Sequence, residues 1–354
     1  MLSEGPLRAL LGSGPNTFAN QWARFKPAEI NATPFWNTNF NTGSGLIPTL
    51  VITTGLIGIF WWVIFGGLFL YYGIKAVTTR PRNDHSQYLK ISSFVLALYF
   101  WILAIVFPVH MVLFAFAFLM TGVFLAVCVQ EKIIINRTIF FTNHAQGGLG
   151  FTIPLIMIIV SGIAGLYFLT RSLAYSFASN VYFQKGLTVL IEEGKSDAAE
   201  EKIAYAARLW PRDIYHRYLA KINLDQLLNV ASQNEFSQEE ADTQFQAIAN
   251  LAIGNAKKAV ELDTADYRNW YMLGEVYLLL NGFGVQGVLE HARTSIVNAY
   301  SLNSTSPVVV LEYARLELAL GNREGARSYI ENALRMKPDY LDAKFFLSQL
   351  EVQE

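Results

Sequence analysis

Charged side chains are missing from three long stretches of this chain. Residues 46–74, 91–130 and 138–170 contain no Asp, Glu, Lys or Arg. About 20 apolar residues, each rising 1.5 Å, span the roughly 30 Å hydrocarbon core of a bilayer. A charge at its centre costs about 2.5–3.5 kcal/mol on insertion scales. Runs of this kind are therefore expected to be membrane helices. Beyond residue 182 the chain returns to ordinary charged sequence.

The first run predicts one helix over about 46–74, with Pro48 in its first turn, where a missing N–H does no harm. The second run is too long for one crossing. Pro108 divides it, so helices over about 89–107 and 110–129 are expected around a tight turn. The fourth helix is expected over about 150–171, with Ser161 and Gly165 in small-xxx-small spacing for a close neighbour. Basic residues in short loops set orientation. Lys75, Arg80, Arg82 and Lys90 follow the first helix, and Lys132 and Arg137 follow the third. These loops are expected in the cytoplasm of a cell whose cytoplasmic membrane holds the chain. The first 45 residues and everything after residue 171 then lie outside. A polar segment of that length ahead of the first helix suggests the C-terminal portion of a larger polytopic protein. The opening residues lack the basic-then-apolar order of a signal peptide.

The net charge of −1 gives no argument for nucleic acid, and the single Cys128 can form neither an intrachain disulfide nor a zinc site. No metal and no cofactor is expected.

Residues 180–354 repeat with a period near that of helix-turn-helix arrays. Trp270, Leu273, Gly274 and Tyr277 are followed by Ala292, Ile296 and Ala299. The Ala-x6-Ala spacing recurs at Ala199 and Ala206, Ala252 and Ala259, and Ala326 and Ala333. Small residues are needed there because paired helices pack closely. This region resembles the tetratricopeptide (TPR) family, so the fold class expected is all-α, four transmembrane helices followed by a TPR-like α-solenoid. Residues 341–351 should close the stack through Phe345, Phe346 and Leu347. The resemblance implies a protein or peptide partner in a groove that would include Arg268, Tyr271, Glu275 and Arg315.

The segment before the first apolar run reads GSGPNTF (12–18), WARFKP (22–27) and NATPFWNTNFNTGSG (31–45), then LVITTGLIG (50–58). It resembles the large external loop and following helix of the O-antigen ligase and polymerase family, membrane glycosyltransferases that use polyprenyl-diphosphate-linked glycans. The family's G-x-G-P-x-x-F turn matches Gly12, Gly14, Pro15 and Phe18, and its T-G-L-x-G turn matches Thr54, Gly55, Leu56 and Gly58. The domains implied are a ligase-like external loop (1–45), a transmembrane domain (46–172) and the repeats (173–354). Partners are then membrane lipid, the lipid-linked glycan and a protein.

Such chemistry needs cations on the diphosphate, which Arg can supply without metal, and a base for the acceptor hydroxyl. Arg24 and Lys26 are the candidate diphosphate contacts. The family's His-Asn pair ahead of the T-G-L-x-G turn is replaced by Ser44 and Gly45, and none of the five histidines lies in the loop. No catalytic residue can be named, and a non-catalytic membrane-anchored TPR scaffold is the alternative. The glycosylation triplets at Asn31, Asn136 and Asn303 are weak signals.

Overall fold

The computed structural model describes residues 5–80, 84–108, 111–134, 152–232 and 238–352. Among them every regular element is a helix. The chain forms two compact units: Met1–Trp22 with Thr38–Gly148, and Ala23–Asn37 with Leu149–Glu354.

The first unit contains α1 (Pro6–Leu11), most of α2 (Phe18–Phe25), α3 (Leu46–Thr78), α4 (Asp84–Val106) and α5 (Met111–Gln130). Helices α3, α4 and α5 are long and apolar enough to cross a membrane. Helix α4 begins earlier than expected, with Asp84 in its first turn, where a carboxylate meets the positive end of the helix dipole. Lys90 thereby falls inside the helix, almost fully buried, and its Nζ donates to the Thr79 carbonyl beyond the end of α3. Helix α4 ends at Val106, ahead of Pro108, and α5 begins at Met111; residues 109 and 110, His110 among them, lie outside the described residues.

Aromatic side chains build the core of this unit. Trp101 Nε1 donates to Thr121 Oγ1 at 3.0 Å, which satisfies both groups inside the bundle. Trp62 packs edge-on against Trp101 at 5.5 Å, whereas Trp61, its neighbour in sequence, stands 63% exposed. Phe69, Phe94 and Phe124 form a second cluster, with centroids 5.3–5.9 Å apart. Such pairs add about 0.5–1.5 kcal/mol each beyond the area they bury.

The second unit is a series of helical pairs. Helix α6 (Thr152–Glu192) packs on α7 (Ser196–Leu209), α8 (Asp213–Ser232) on α9 (Gln238–Leu262), α10 (Tyr267–Gly282) on α11 (Leu289–Leu302), and α12 (Pro307–Ala319) on α13 (Arg323–Met336). Helix α14 (Leu341–Val352) packs on α13. All eight Ala-x6-Ala alanines are buried, and the residues between them, Ile203, Ala256, Ile296 and Ile330, are fully buried. Gly274 shows why small residues recur: a Cβ there would stand 2.5 Å from Ile296 Cγ1. Each such isoleucine contributes about 1.5–3 kcal/mol by burial.

Three expectations are revised. The fourth apolar run does not form a separate span among the described residues, which contain three. Residues 150 and 151 and the side chains of 152–155 and 158 are not described, and the rest of that run is the front of the 41-residue α6, continuing unbroken past residue 172. Among the described residues a Cβ on Gly162 or Gly165 of α6 would meet nothing within 4 Å. At the far end, Ala343 and Leu350 are buried in α14 with Phe346 and Leu347 partly buried beside them, but Phe345 is 65% exposed. Residues 343, 346, 347 and 350 share one helical face, and 345 lies off it.

Candidate functional site

Within the first unit, the two glycine motifs of the loop meet. Helix α3 is interrupted at Gly55, whose φ of 63° and ψ of −165° lie in territory that only glycine visits readily. The interruption releases carbonyls that a continuous helix would use. Ser13 N–H donates to Ile52 O at 2.9 Å and Gly14 N–H to Thr53 O at 3.0 Å, while Ser13 Oγ also donates to Ile52 O at 2.9 Å. Thr17 Oγ1 donates to Gly14 O at 2.7 Å and steadies the turn. The approach is so close that a Cβ on Gly12 would stand 2.5 Å from Thr53 O, and one on Gly55 would fall on Gly12 N. The run expected as one helix is kinked at Gly55 by a backbone joint.

Gly45, where the resemblance would place part of a His-Asn pair, precedes α3 directly. A Cβ there would fall on the Ile105 carbonyl oxygen. The packing of α3 beside α4 leaves no room for a side chain at this position. Of the histidines, His85 is exposed on the first turn of α4 and His144 lies outside the described residues. His216 pairs with Asn255 at 3.1 Å, and His291 stacks on Tyr277 at 5.2 Å.

The other loop candidates belong to the second unit. Arg24, near the end of α2, is exposed with its guanidinium 5.7 Å from the Phe25 ring centroid. Lys26 is only 7% exposed. Its Nζ donates to Trp36 O at 2.8 Å and to Asn31 Oδ1 at 3.3 Å, and burial lowers its pKa. Asn31 and Asn303 of the glycosylation triplets are both buried, so neither side-chain amide is open to modification, and Asn136 lies outside the described residues.

In the repeats, α10 packs against both α8 and α12, so first helices form a continuous row. Asp266 caps α10 by accepting from Arg268 N–H at 2.9 Å. Arg268 also grips this carboxylate with Nε at 2.9 Å and Nη2 at 2.6 Å. Arg217 reaches the same carboxylate at 3.2 Å and Asn269 Oδ1 at 2.5 Å. Burial pushes the Asp266 carboxyl up, but the two guanidiniums outweigh it and hold it below the usual range. Glu275 pairs loosely with Lys221 at 3.6 Å. Arg315 Nη1 donates to Glu312 at 2.8 Å; burial nonetheless raises Glu312 to about 7. Burial also holds the Tyr271 phenol well above its ordinary value.

Several of these groups, though not Asp266 or Asn269, line two cavities. One of about 410 Å³ is bounded by Arg217, Tyr218, Lys221, Arg268 and Tyr271. The other, of about 630 Å³, is bounded by Glu275, Glu312, Arg315, Asp342, Phe345 and Phe346. All four groove residues expected from the repeats therefore line one cavity or the other. Arg217, Asp266 and Glu312 were not anticipated. An Asp directly before a helix is a readable capping signal, so Asp266 could have been found. Glu312 carries no local signal, because its burial comes from neighbouring repeats.

The sequence matches no protein-family model and no curated protein. Among solved structures, the chain is similar to a thermophilic TPR protein of Thermus thermophilus at 20% identity and a TM-score of 0.31, over 49% of this chain and 100% of that one. The repeat assignment stands on the helical pairs and their buried alanines.

Proposed function

We propose that this chain carries the external loop and closing helices of a membrane glycosyltransferase similar to the O-antigen ligases and polymerases, joined to an external repeat domain that binds protein. The substrate class is a polyprenyl-diphosphate-linked glycan. The observation that supports this reading is the joint between residues 12–14 and 52–55. The two motifs that carry the resemblance meet backbone to backbone, and one glycine of each, Gly12 and Gly55, is required by the approach. Exposed Arg24 is the better placed of the two cations to meet a diphosphate, since Arg offers a bidentate, permanently charged fork. Lys26 acts mainly by holding Trp36 and Asn31 in place. The front of α6 adds a fourth span in this reading, with the loop and the repeats on the outer side.

A cell-based transfer assay tests it. Arg24→Ala is expected to reduce glycan transfer at least tenfold at unchanged membrane abundance. A second reading, the non-catalytic anchored scaffold, draws on Ser44 and Gly45 standing where the family has His and Asn. It is favoured if Arg24→Ala leaves transfer intact while Tyr271→Ala or Arg315→Ala abolishes capture of a partner.

A further inference from the structure

The middle of the loop, Ala23–Asn37, is part of the same compact unit as the repeats. Two side chains hold it there and a third braces it. Asn31 is fully buried, and its Nδ2 donates at 2.9 Å to the carbonyl of Thr305, in the turn between α11 and α12. The Trp36 ring packs on Tyr340 at 5.4 Å, in the turn between α13 and α14, with the Lys337 ammonium 4.9 Å from its centroid. Lys26 closes the segment on itself through Trp36 O and Asn31 Oδ1. Between them, a 3-10 helix over Ala28–Ala32 follows Pro27. Asn37, the next residue after Trp36, borders the cavity at Tyr267, Arg268 and Val308.

The residues that contact the segment, or line a cavity with it, have one thing in common. Tyr267, Thr305, Val308 and Tyr340 sit in, or just after, the turn leading from a second helix into the next first helix. They mark a single edge of the solenoid, where the N-terminal ends of α10, α12 and α14 line up. A surface loop ordinarily keeps its polar side chains in water. Here an ammonium and a carboxamide are buried instead, which is costly unless each finds partners. The partner of Asn31 is supplied by the repeats, 274 residues further along the chain. Trp is among the residues that dominate binding hot spots when packed in a pocket, and a cation over its ring adds attraction.

We propose that this edge is a peptide-docking surface and that residues 26–36 are its resident ligand. The repeats clamp the loop through an Asn-x4-Trp pattern, preorganised by Lys26. The edge is free to take a second peptide of that pattern only when the chain's own segment is released. The inference concerns the loop's hold on the repeats and stands whether or not the loop serves a transferase.

Hydrogen exchange on the full chain in detergent tests it. In the wild type, Thr33 and Trp36 amides, bonded to Ile30 O and Thr33 O, are expected to be protected. Asn31→Asp and Trp36→Ala should speed their exchange at least tenfold while α10 to α14 stay as slow as before. A labelled synthetic peptide of residues 23–37 is then titrated in. It should bind Trp36→Ala saturably, bind the wild type at least tenfold more weakly, and lose binding when Tyr340→Ala is added. Equal exchange in wild type and variants, equal binding to both, or binding to neither overturns the proposal. If Trp36→Ala disturbs the repeats themselves, Lys337→Ala replaces it, removing only the cation above the ring. A two- to fivefold rise in exchange confined to 26–36 is then expected, and no change overturns the proposal.

Discussion

Replacing Gly55 by Ala attacks the loop–helix joint at its tightest point. At φ 63° a side chain strains the backbone, a cost of about 1–3 kcal/mol. The added methyl would also stand against Gly12 N and 2.5 Å from Leu10 O, both backbone atoms that cannot rotate away. Overpacking of that kind costs a further 1–3 kcal/mol or so. Together the two effects destabilise the joint by about 2–6 kcal/mol. Gly67→Ala is the matched control: it lies in the same helix, is exposed, and a Cβ there meets nothing within 4 Å. Its effect should be neutral or stabilising by about 0.5–1 kcal/mol, because Ala is the better helix former. Thermal unfolding in detergent reads the global effect, and hydrogen exchange at the Ser13 and Gly14 amides reads the joint itself. If Gly55→Ala and Gly67→Ala unfold alike, and the two amides stay equally protected, the joint does not depend on glycine and the reasoning fails.

Other outcomes are expected in the repeats. Glu312 sits at about 7 when folded against an ordinary 4.5, so the folded chain binds the proton more tightly than the unfolded one. Stability should therefore rise by up to roughly 3 kcal/mol as pH falls from about 8 toward 5; Glu312→Gln should flatten that slope in denaturant titrations at several pH values. Asp266→Ala leaves Arg217 and Arg268 without their shared carboxylate and removes the α10 cap, a loss of about 3–5 kcal/mol measurable by urea unfolding. Tyr215 is fully buried with a hydroxyl that meets no partner among the described residues, so Tyr215→Phe should be neutral or stabilising by about 1–2 kcal/mol in the same assay.

What could be read in the residues followed from local or periodic signals. The charge-free runs around Pro108 became α4 and α5 because hydropathy needs no knowledge of neighbours. The Ala-x6-Ala spacing marked second helices because close pairing leaves a periodic imprint. The bend at Gly55 was only half legible: Thr53, Thr54 and Gly55 are weak helix formers, but the apolar run continues through them, and the Ser13 and Gly14 amides that take up the freed carbonyls come from a distant segment. Lys26 read as a phosphate contact because its burial depends on Trp36 and Asn31 folding back over it. The docking of Asn31 on Thr305 joins residues with no shared pattern, and no spacing rule reaches that far. Among the groove residues the polar types were visible, and Asp266 before α10 and Glu312 three residues ahead of Arg315 lie in local reach of the arginines they bind; what spacing does not carry is the burial of Glu312.

Helix α6 is continuous over 41 residues, a rod of roughly 60 Å. Its oily front and its rear, which pairs with α7, belong to one rigid shaft with no swivel between them. Rotating the front by some angle turns the first repeat by the same angle, and a tilt displaces the far tip in proportion to its lever arm. A proline inserted midway would therefore decouple the two ends without altering either surface.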